Sequence, residues 1–491
     1  MSQNNSNTQK VLKGVSSQTL VTIVLGVVEI ISFSIMSRLL SKEDFGYYAA
    51  ISAVVAIFAC FSDAGIGSAV VQRKDITKRY VDNAFTLSLL FGSVVAFALF
   101  MSSGVIARAI TDESMTIPLM LMSVTLLFNC LTSVNISLMY RRLQFLRVGM
   151  INLVALVITT IVAVYLAWKG YGYYAIIVKS ILASMLTLVL SYYFAKTRYG
   201  IALDKGIIKQ IFGFSGWLMA SGLFRNLAHD VDKLLMSRLL SVVSLGAYNR
   251  PKDFINQIST KLNGIFDTAL FPVLSGIQDD HEKIVRAYKQ SLYFMNIFAM
   301  LLTLGFALNS ELLIRIFFGE QWLDLKWITM ILSFLMLFNI DGRLADCFLR
   351  SLALTKQQFF FRILETIVTL LGVVIGANWD ILGVAVAVVV TNMVLKLLKI
   401  FYISIKIGIP ILNTLSVVLS SWRFALFLIP ICAILFFLLP NTLIGDMMLL
   451  FFFLLACMLI FLVFPSLVGK PYREKTYMIV KSKFETFLLR R

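Results

Sequence analysis

Charged and polar side chains interrupt several long apolar stretches of this sequence. In the stretch GLFRNLAHDVDKLLMSR, Arg225, His229 and Asp232 follow one another at intervals of four and three residues. On a helix this spacing places the three side chains in one stripe. An ionisable group inside an apolar helix is costly, so it marks a substrate path or an internal ion pair. The stripe offers anion binding by Arg225, proton transfer by His229, or contacts that only fasten helices together.

Further charged groups interrupt other apolar stretches. Asp230 and Lys233 predict an ion pair between positions i and i+3, and Arg362 and Glu365 predict another whose role is structural. Asn339, Arg343 and Asp346 share one helix face. The candidates for substrate binding are Arg225, Arg343, Asp232, Lys233, Arg250 and Lys179, and those for proton or ion coupling are Glu29, His229 and Asp230.

The elements that carry these groups are membrane helices. The chain has 491 residues, of which 59% are hydrophobic and only 14% are charged. Ordinary globular domains carry about 25% charged residues. The composition therefore predicts an all-α, polytopic membrane protein. Its net charge of +18 is explained by the enrichment of Lys and Arg in cytoplasmic loops, and not by binding to nucleic acid.

Hydropathy predicts about fourteen transmembrane helices, arranged as two pseudo-symmetric lobes of six and two C-terminal helices. Four of these spans, the second, seventh, eighth and thirteenth, are expected at 47–70, 214–239, 245–266 and 422–439. The predicted domains are a cytoplasmic N-terminal segment (1–19), an N-lobe (20–200), a C-lobe (201–405), an amphipathic segment with the last two spans (406–468) and a basic cytoplasmic tail (469–491).

Loop charges predict the orientation of the spans. Segments expected on the cytoplasmic side hold positive charges, among them Lys78, Arg79, Arg141, Arg142, Lys196, Lys396, Lys399 and Lys406. Loops expected on the opposite side are mostly sparse or acidic, with Asp112, Glu113 and Glu311 as examples. This alternation predicts that both termini face the cytoplasm.

An internal repeat indicates how the lobes are related. Residues 36–48 read MSRLLSKEDFGYY, and residues 236–248 read MSRLLSVVSLGAY, at an offset of 200. Each copy lies at the end of the first span of a six-span half. The repeat therefore predicts two lobes in the same orientation with a transport path between them, an architecture found in transporters.

Motifs for catalysis and cofactors are missing from the sequence. The five cysteines form no C-x-x-C pair and there are only two histidines, so neither a metal site nor a disulfide framework is predicted. There is no P-loop, and hence no expected ATP hydrolysis. We expect no cofactor and no enzymatic activity.

Several motifs resemble the polysaccharide transporter family of the MOP flippase superfamily, in particular the colanic-acid and O-antigen type of exporter. They are SDAGIGSAVVQRKDIT (62–77), DKLLMSRLLSVVSLGAYNRP (232–251), FPVLSGIQDDHEKIVRAY (271–288) and FGEQWL (318–323). The sequence departs from the family pattern at Ala64 and His281, where members often have Phe and Pro.

The resemblance implies a V-shaped pair of six-helix lobes with two extra helices. It further implies export of undecaprenyl-diphosphate-linked oligosaccharide units across the bacterial inner membrane by alternating access. Such units serve exopolysaccharide, capsule or O-antigen synthesis, so a polysaccharide polymerase and chain-length machinery are possible partners.

Three alternatives remain open on the sequence. A multidrug or cation antiporter shares the fold, but cationic drugs favour an acidic, aromatic cavity, whereas Arg and Lys accompany the acids here. A membrane-embedded ligase or polymerase is disfavoured because no large outer loop is available for catalysis. A pure scaffold does not explain charges placed in the middle of spans.

Overall fold

The computed structural model describes residues 2–63, 65–73, 75–110, 113–211, 230, 232–277, 280–352, 354–423, 428, 430 and 443–463. Throughout these ranges the secondary structure is helical, without a strand. The helices are α1 (Ser2–Leu39), α2 (Lys42–Asp63), α3 (Ile66–Gln72), α4 (Lys78–Ile110), α5 (Thr116–Arg141), α6 (Phe145–Trp168), α7 (Tyr174–Ala195), α8 (Val242–Gly276), α9 (His281–Leu308), α10 (Ser310–Phe317), α11 (Lys326–Ser351), α12 (Thr355–Gly376), α13 (Asp380–Lys406), α14 (Ile411–Ser421) and α15 (Leu443–Val463).

Many of these helices are long and apolar enough to cross a bilayer. Among the described residues there are nine such stretches, and the last, Lys356–Lys406, contains α12 and α13 joined by a short 3-10 turn. The expected all-α, polytopic membrane architecture is therefore confirmed. The count of fourteen stays a prediction, because the expected spans 214–239 and 422–439 lie largely outside the described residues.

The second expected span, 47–70, was drawn too long. Helix α2 ends at Asp63, and the separate short helix α3 begins at Ile66. Gly65 between them has a φ of 67°, in the left-handed region. Because glycine lacks a Cβ, it adopts this conformation readily, which suits the break between the two helices.

The sequence repeat corresponds to a repeated backbone structure. The amide of Asp44 donates a hydrogen bond to the Ser41 hydroxyl at 3.1 Å, and the amide of Ser244 donates one to the Ser241 hydroxyl at 3.0 Å. In both copies a serine therefore caps the next helix, α2 or α8. In the first copy the Asp44 carboxylate also accepts the Ser41 amide at 2.9 Å, which completes a reciprocal cap.

The chain forms two compact units. Unit 1 comprises Met1–Arg250, Phe317–Gln321 and Arg362–Val384, and unit 2 comprises Pro251–Ile316, Trp322–Phe361 and Ala385–Arg491. In unit 1, α5 packs against α4 and α7, and α6 packs against α1 and α7. In unit 2, α9 packs against α11, α14 and α15 around a large apolar core. The lobe boundaries expected from the sequence stay a prediction.

Helix α8 is the exception among the long helices. It runs for 35 residues and contains the expected eighth span, 245–266. It is not among the nine apolar stretches, and it carries Arg250, Lys252 and Asp253 within one turn. Arg250 and Lys252 are nevertheless buried, so protein groups must compensate for the loss of water around them.

Candidate functional site

Lys179 lies half-buried on α7 at the centre of a polar group in unit 1. Its ammonium donates a hydrogen bond to the Ser32 hydroxyl on α1 at 2.5 Å. Thr160 on α6 donates to the same hydroxyl at 3.1 Å. Arg250 and Glu29 both act electrostatically on the Lys179 ammonium. The structure thus brings three of the expected site residues, Lys179, Arg250 and Glu29, into one electrostatic group.

Arg250 is held between α1 and α2. Its Nη2 donates to the Phe33 carbonyl and to the Ser37 hydroxyl, both at 2.6 Å, and its Nε donates to Ser37 at 2.9 Å. Its guanidinium carbon lies 3.3 Å from the ring centroid of Phe33 and 3.9 Å from that of Phe45. Cation–π contact and directed hydrogen bonds therefore fix this buried charge. The contacts make Arg250 a positioning group for α1, α2 and α8.

Asp232 and its neighbours form local contacts. The hydroxyl of Tyr248 donates to one oxygen of the buried Asp232 carboxylate at 2.9 Å. The expected pair between Asp230 and Lys233 is confirmed, with 2.9 Å between the ammonium and the carboxylate. The two predicted candidates on the same stripe, Arg225 and His229, lie outside the described residues.

Arg343 lies half-buried on α11 in unit 2. One turn before it, the side-chain amide of Asn339 donates a hydrogen bond to the side-chain Oδ1 of Asn256 on α8 at 3.0 Å. The predicted pair of Arg362 and Glu365 is also confirmed, at 2.8 Å. Arg343 is therefore a half-buried cation of unit 2. Arg362, which belongs to unit 1, lies beside the carboxylate of Glu365.

Lys399 is buried inside a helix and does not lie in a cytoplasmic loop. The sequence placed it among cytoplasmic positive charges, but it lies inside α13 with a side chain that is 0% exposed. Its ammonium is 3.1 Å from a carboxylate oxygen of Asp346 on α11. The ammonium also lies 5.9 Å from the ring centroid of Phe361. Lys396 on the same helix is also buried, so neither lysine reports on the side of the membrane.

Asp341 is a buried acid that the sequence reasoning did not select. One of its carboxylate oxygens accepts a hydrogen bond from the side-chain amide of Asn296 on α9 at 3.1 Å. The side-chain Oδ1 of Asn296 is buried and accepts no hydrogen bond from the described residues. No Lys or Arg of the described residues pairs with Asp341. Its position one helical turn before Ala345 and two residues before Arg343 was visible in the sequence, but its partner on another helix was not.

Within the described ranges, no group of three or more His, Cys, Asp or Glu side chains is arranged to hold a metal ion.

Comparison with known proteins identifies the family. The sequence model of a family described as "polysaccharide biosynthesis protein" matches residues 35–327. The chain belongs to this family. The lipopolysaccharide biosynthesis protein WzxC of Escherichia coli K12 is 23% identical over 421 residues, which cover 84% of this chain and 84% of that protein. The succinoglycan biosynthesis transport protein ExoT of Rhizobium meliloti is 23% identical over 296 residues, covering 60% of this chain and 59% of that protein.

Solved structures establish how this family member is folded. The lipid II flippase MurJ, in an inward closed conformation, superposes with a TM-score of 0.69 at 15% identity, covering 94% of this chain and 99% of that chain. An inward-facing multidrug resistance MATE transporter of the MOP superfamily gives a TM-score of 0.61 at 14% identity, with 79% and 98% coverage. At these identities the likeness shows the fold alone, which this chain shares with MurJ and with the MATE transporter.

Proposed function

We propose that this family member exports lipid-linked oligosaccharide units across the bacterial inner membrane, with both termini in the cytoplasm. Its substrate would be a polyprenyl diphosphate that carries a sugar repeat unit. The observation that carries the proposal is membership of the polysaccharide biosynthesis family. It is supported by the match to WzxC over most of both chains and by the match to a protein described as a transporter of succinoglycan synthesis.

The physical task is to move sugars and a diphosphate through a layer that excludes both. Cations and hydroxyl groups inside the protein replace the water around the head group while the polyprenyl tail stays in lipid. Half-buried Lys179 with Ser32 and Thr160 supplies such a group in unit 1, and Arg343 supplies a partly accessible cation in unit 2. An inside-negative potential favours outward movement of each negative charge by about 2.3 kcal/mol per 100 mV.

The other residues expected from the sequence bind the head group, hold helices in place or couple transport to a proton or ion. Arg225 is a further proposed ligand of the diphosphate. Asp232, Lys233 and Arg250 hold the helices around them through the contacts described above. Glu29, His229 and Asp230 are the proposed groups for a coupling proton or ion, and alternating access moves the head group from one side to the other. A polysaccharide polymerase that uses the exported unit is the proposed partner.

A deletion strain tests the function. Without the gene, the lipid-linked repeat unit should accumulate in the cytoplasmic leaflet, and the wild-type gene should restore its delivery to the periplasm. Lys179→Gln, Arg343→Gln and Arg225→Ala should each fail to restore delivery at unchanged protein abundance. Arg108→Gln is the matched control, because Arg108 is exposed and paired with Glu113 at 2.8 Å.

The same strain distinguishes the multidrug antiporter. If deletion sensitises cells to cationic drugs and leaves the lipid-linked intermediates at wild-type levels, the export proposal is wrong. If delivery is restored by all three substrate-site variants, export stands and the named residues are not its ligands.

A further inference from the structure

A cavity of about 460 Å³ opens in unit 1, away from Lys179 and Arg250, where α4 begins and α5 ends. Three basic residues, Lys78, Arg141 and Arg142, contribute to its wall together with the hydroxyl residues Thr77 and Thr197. Loop charges predict that this end of the unit faces the cytoplasm. Beyond that orientation, no role for these basic residues is predicted from the sequence.

Arg142 is held by neutral partners. It donates from Nη1 to the Ala195 carbonyl at 2.5 Å and from Nη2 to the Thr197 hydroxyl at 3.3 Å. Because a carbonyl or hydroxyl carries no net charge and a guanidinium has five N–H donors, these contacts orient the Arg142 cation without cancelling its charge. Arg141, beside it in the sequence, donates from Nη1 to the Val71 carbonyl at 3.4 Å.

Lys78 contributes an exposed cation at the first residue of α4. Within the described ranges, neither Lys78 nor Arg142 forms an ion pair with a carboxylate. Thr77 caps the helix, since its hydroxyl accepts the Tyr80 amide at 3.3 Å. The positive end of the 33-residue helix α4 therefore lies at the same cavity.

One acid, Asp82, also contributes to the wall. Its carboxylate accepts the amide of Gly200 at 2.9 Å, so part of its hydrogen-bonding capacity is already used. Lys78 and Arg142 alone outnumber it, so the residues of the wall carry a net positive formal charge. Ile76, Val81 and Leu138 add apolar surface, which suits a ligand whose anionic group continues into an apolar chain.

We propose that this cavity binds the phosphate of a lipid headgroup at the cytoplasmic surface. Basic pockets between transmembrane helices on this side are suited to anionic headgroups. The phosphate has two chemical sources, an anionic phospholipid of the bilayer or the diphosphate of a polyprenyl-linked sugar. Binding is measured on purified protein, so it does not depend on whether the protein transports.

The test measures lipid binding by native mass spectrometry and by thermal unfolding in neutral detergent. The probes are phosphatidylglycerol, undecaprenyl diphosphate and, as a lipid without net charge, phosphatidylcholine. Wild-type protein should retain at least one of the two anionic lipids in preference to phosphatidylcholine. Lys78→Gln should weaken that binding about fivefold, the effect of one lysine near a membrane surface, and Lys78→Glu should weaken it further.

Arg79→Gln is the matched control. Arg79 neighbours Lys78 and is 70% exposed, but it pairs with Asp204 at 2.9 Å and is not part of the cavity wall. Its variant should bind as the wild type does. Preference for one anionic lipid assigns the source of the phosphate. Equal weakening by Arg79→Gln and Lys78→Gln, or unchanged binding in both Lys78 variants, overturns the proposal.

Discussion

Gly46 and Gly246, which occupy equivalent positions in the two copies of the repeat, pack backbone against backbone. A Cβ added at Gly246 would lie 2.8 Å from the amide nitrogen of Gly46 and would overlap the carbonyl oxygen of Lys42. A Cβ added at Gly46 would overlap the carbonyl oxygen of Val242. The repeat therefore preserves the two residues that let the starts of α2 and α8 approach each other.

Alanine at either glycine should destabilise the protein. The overlap is with backbone atoms, which cannot move aside as a side chain does, and such overpacking costs about 1–3 kcal/mol. We expect Gly46→Ala and Gly246→Ala to lower the Tm of the purified protein in detergent. Gly264→Ala is the control on α8, because a Cβ there meets no atom within 4 Å. A Tm for the repeat variants equal to that of the control would contradict this packing.

Arg250→Lys should unfold more easily than wild type, although the charge is kept. A lysine cannot reproduce the forked hydrogen bonds to Phe33 and Ser37 or the stacking on two rings. Loss of hydrogen bonds to a charged group costs about 1.5–3 kcal/mol each. Thermal unfolding without substrate checks this, with Lys179→Gln expected to stay near wild type. A wild-type Tm combined with failed transport would instead make Arg250 a substrate ligand.

Lys399→Met should be strongly destabilising, because it removes the ammonium that lies 3.1 Å from the buried Asp346 carboxylate. Breaking a buried pair in this way costs about 3–5 kcal/mol, whereas replacing both partners with apolar groups is often neutral. The double variant Asp346→Leu/Lys399→Met should therefore recover most of the lost Tm. Arg79→Met, which breaks a largely exposed pair, should cost about 0–1 kcal/mol. If the double variant is as unstable as Lys399→Met, the pair does not explain the effect.

Asp280 should make stability depend on pH. It caps α9, where its carboxylate accepts the Lys283 amide at 3.1 Å and lies 2.8 Å from the Lys283 ammonium. The side-chain contact with Lys283, followed by the backbone hydrogen bond, lowers the pKa of Asp280. A lowered pKa in the folded state means that the ionised form stabilises the fold above the unfolded-state pKa of about 3.9.

This stabilisation disappears as the pH falls through the folded-state pKa. Asp280→Asn keeps a capping oxygen but removes the charge. The wild type should therefore have the higher Tm at pH 7, and the difference should close below about pH 4. A difference that stays constant from pH 7 to pH 3 would show that the charge of Asp280 contributes nothing.

The sequence predicted contacts that lie within one helix better than contacts between helices. The pairs Asp230–Lys233 and Arg362–Glu365 follow from a spacing of three residues, which any helix converts into proximity. The pair of Asp346 and Lys399 joins positions 53 residues apart, and no local pattern specifies it. Lys399 is predicted in a cytoplasmic segment because it lies near the end of a span. In the sequence, a lysine there looks the same whether its ammonium is solvated or paired with a buried carboxylate.

In the repeat, too, local features were predicted from the sequence and contacts between helices were not. The shared MSRLLS and the following glycine predicted equivalent helix ends, and the serine caps agree with this. The contact between Gly46 and Gly246 could not be predicted, since it depends on how α2 and α8 cross. Arg250 was selected as a cation in an apolar setting, but its stacking on Phe33 and Phe45 required the three-dimensional arrangement.

The pairing of Asp346 with Lys399 affects how α13 is inserted into the membrane. A lysine at the centre of a membrane helix opposes insertion by about 2.5–3.5 kcal/mol, and α13 carries two buried lysines. Helix α11, synthesised earlier, holds the carboxylate that offsets one of them. The cost of inserting Lys399 into the bilayer is therefore lower when α11 is still within reach of α13 at the translocon.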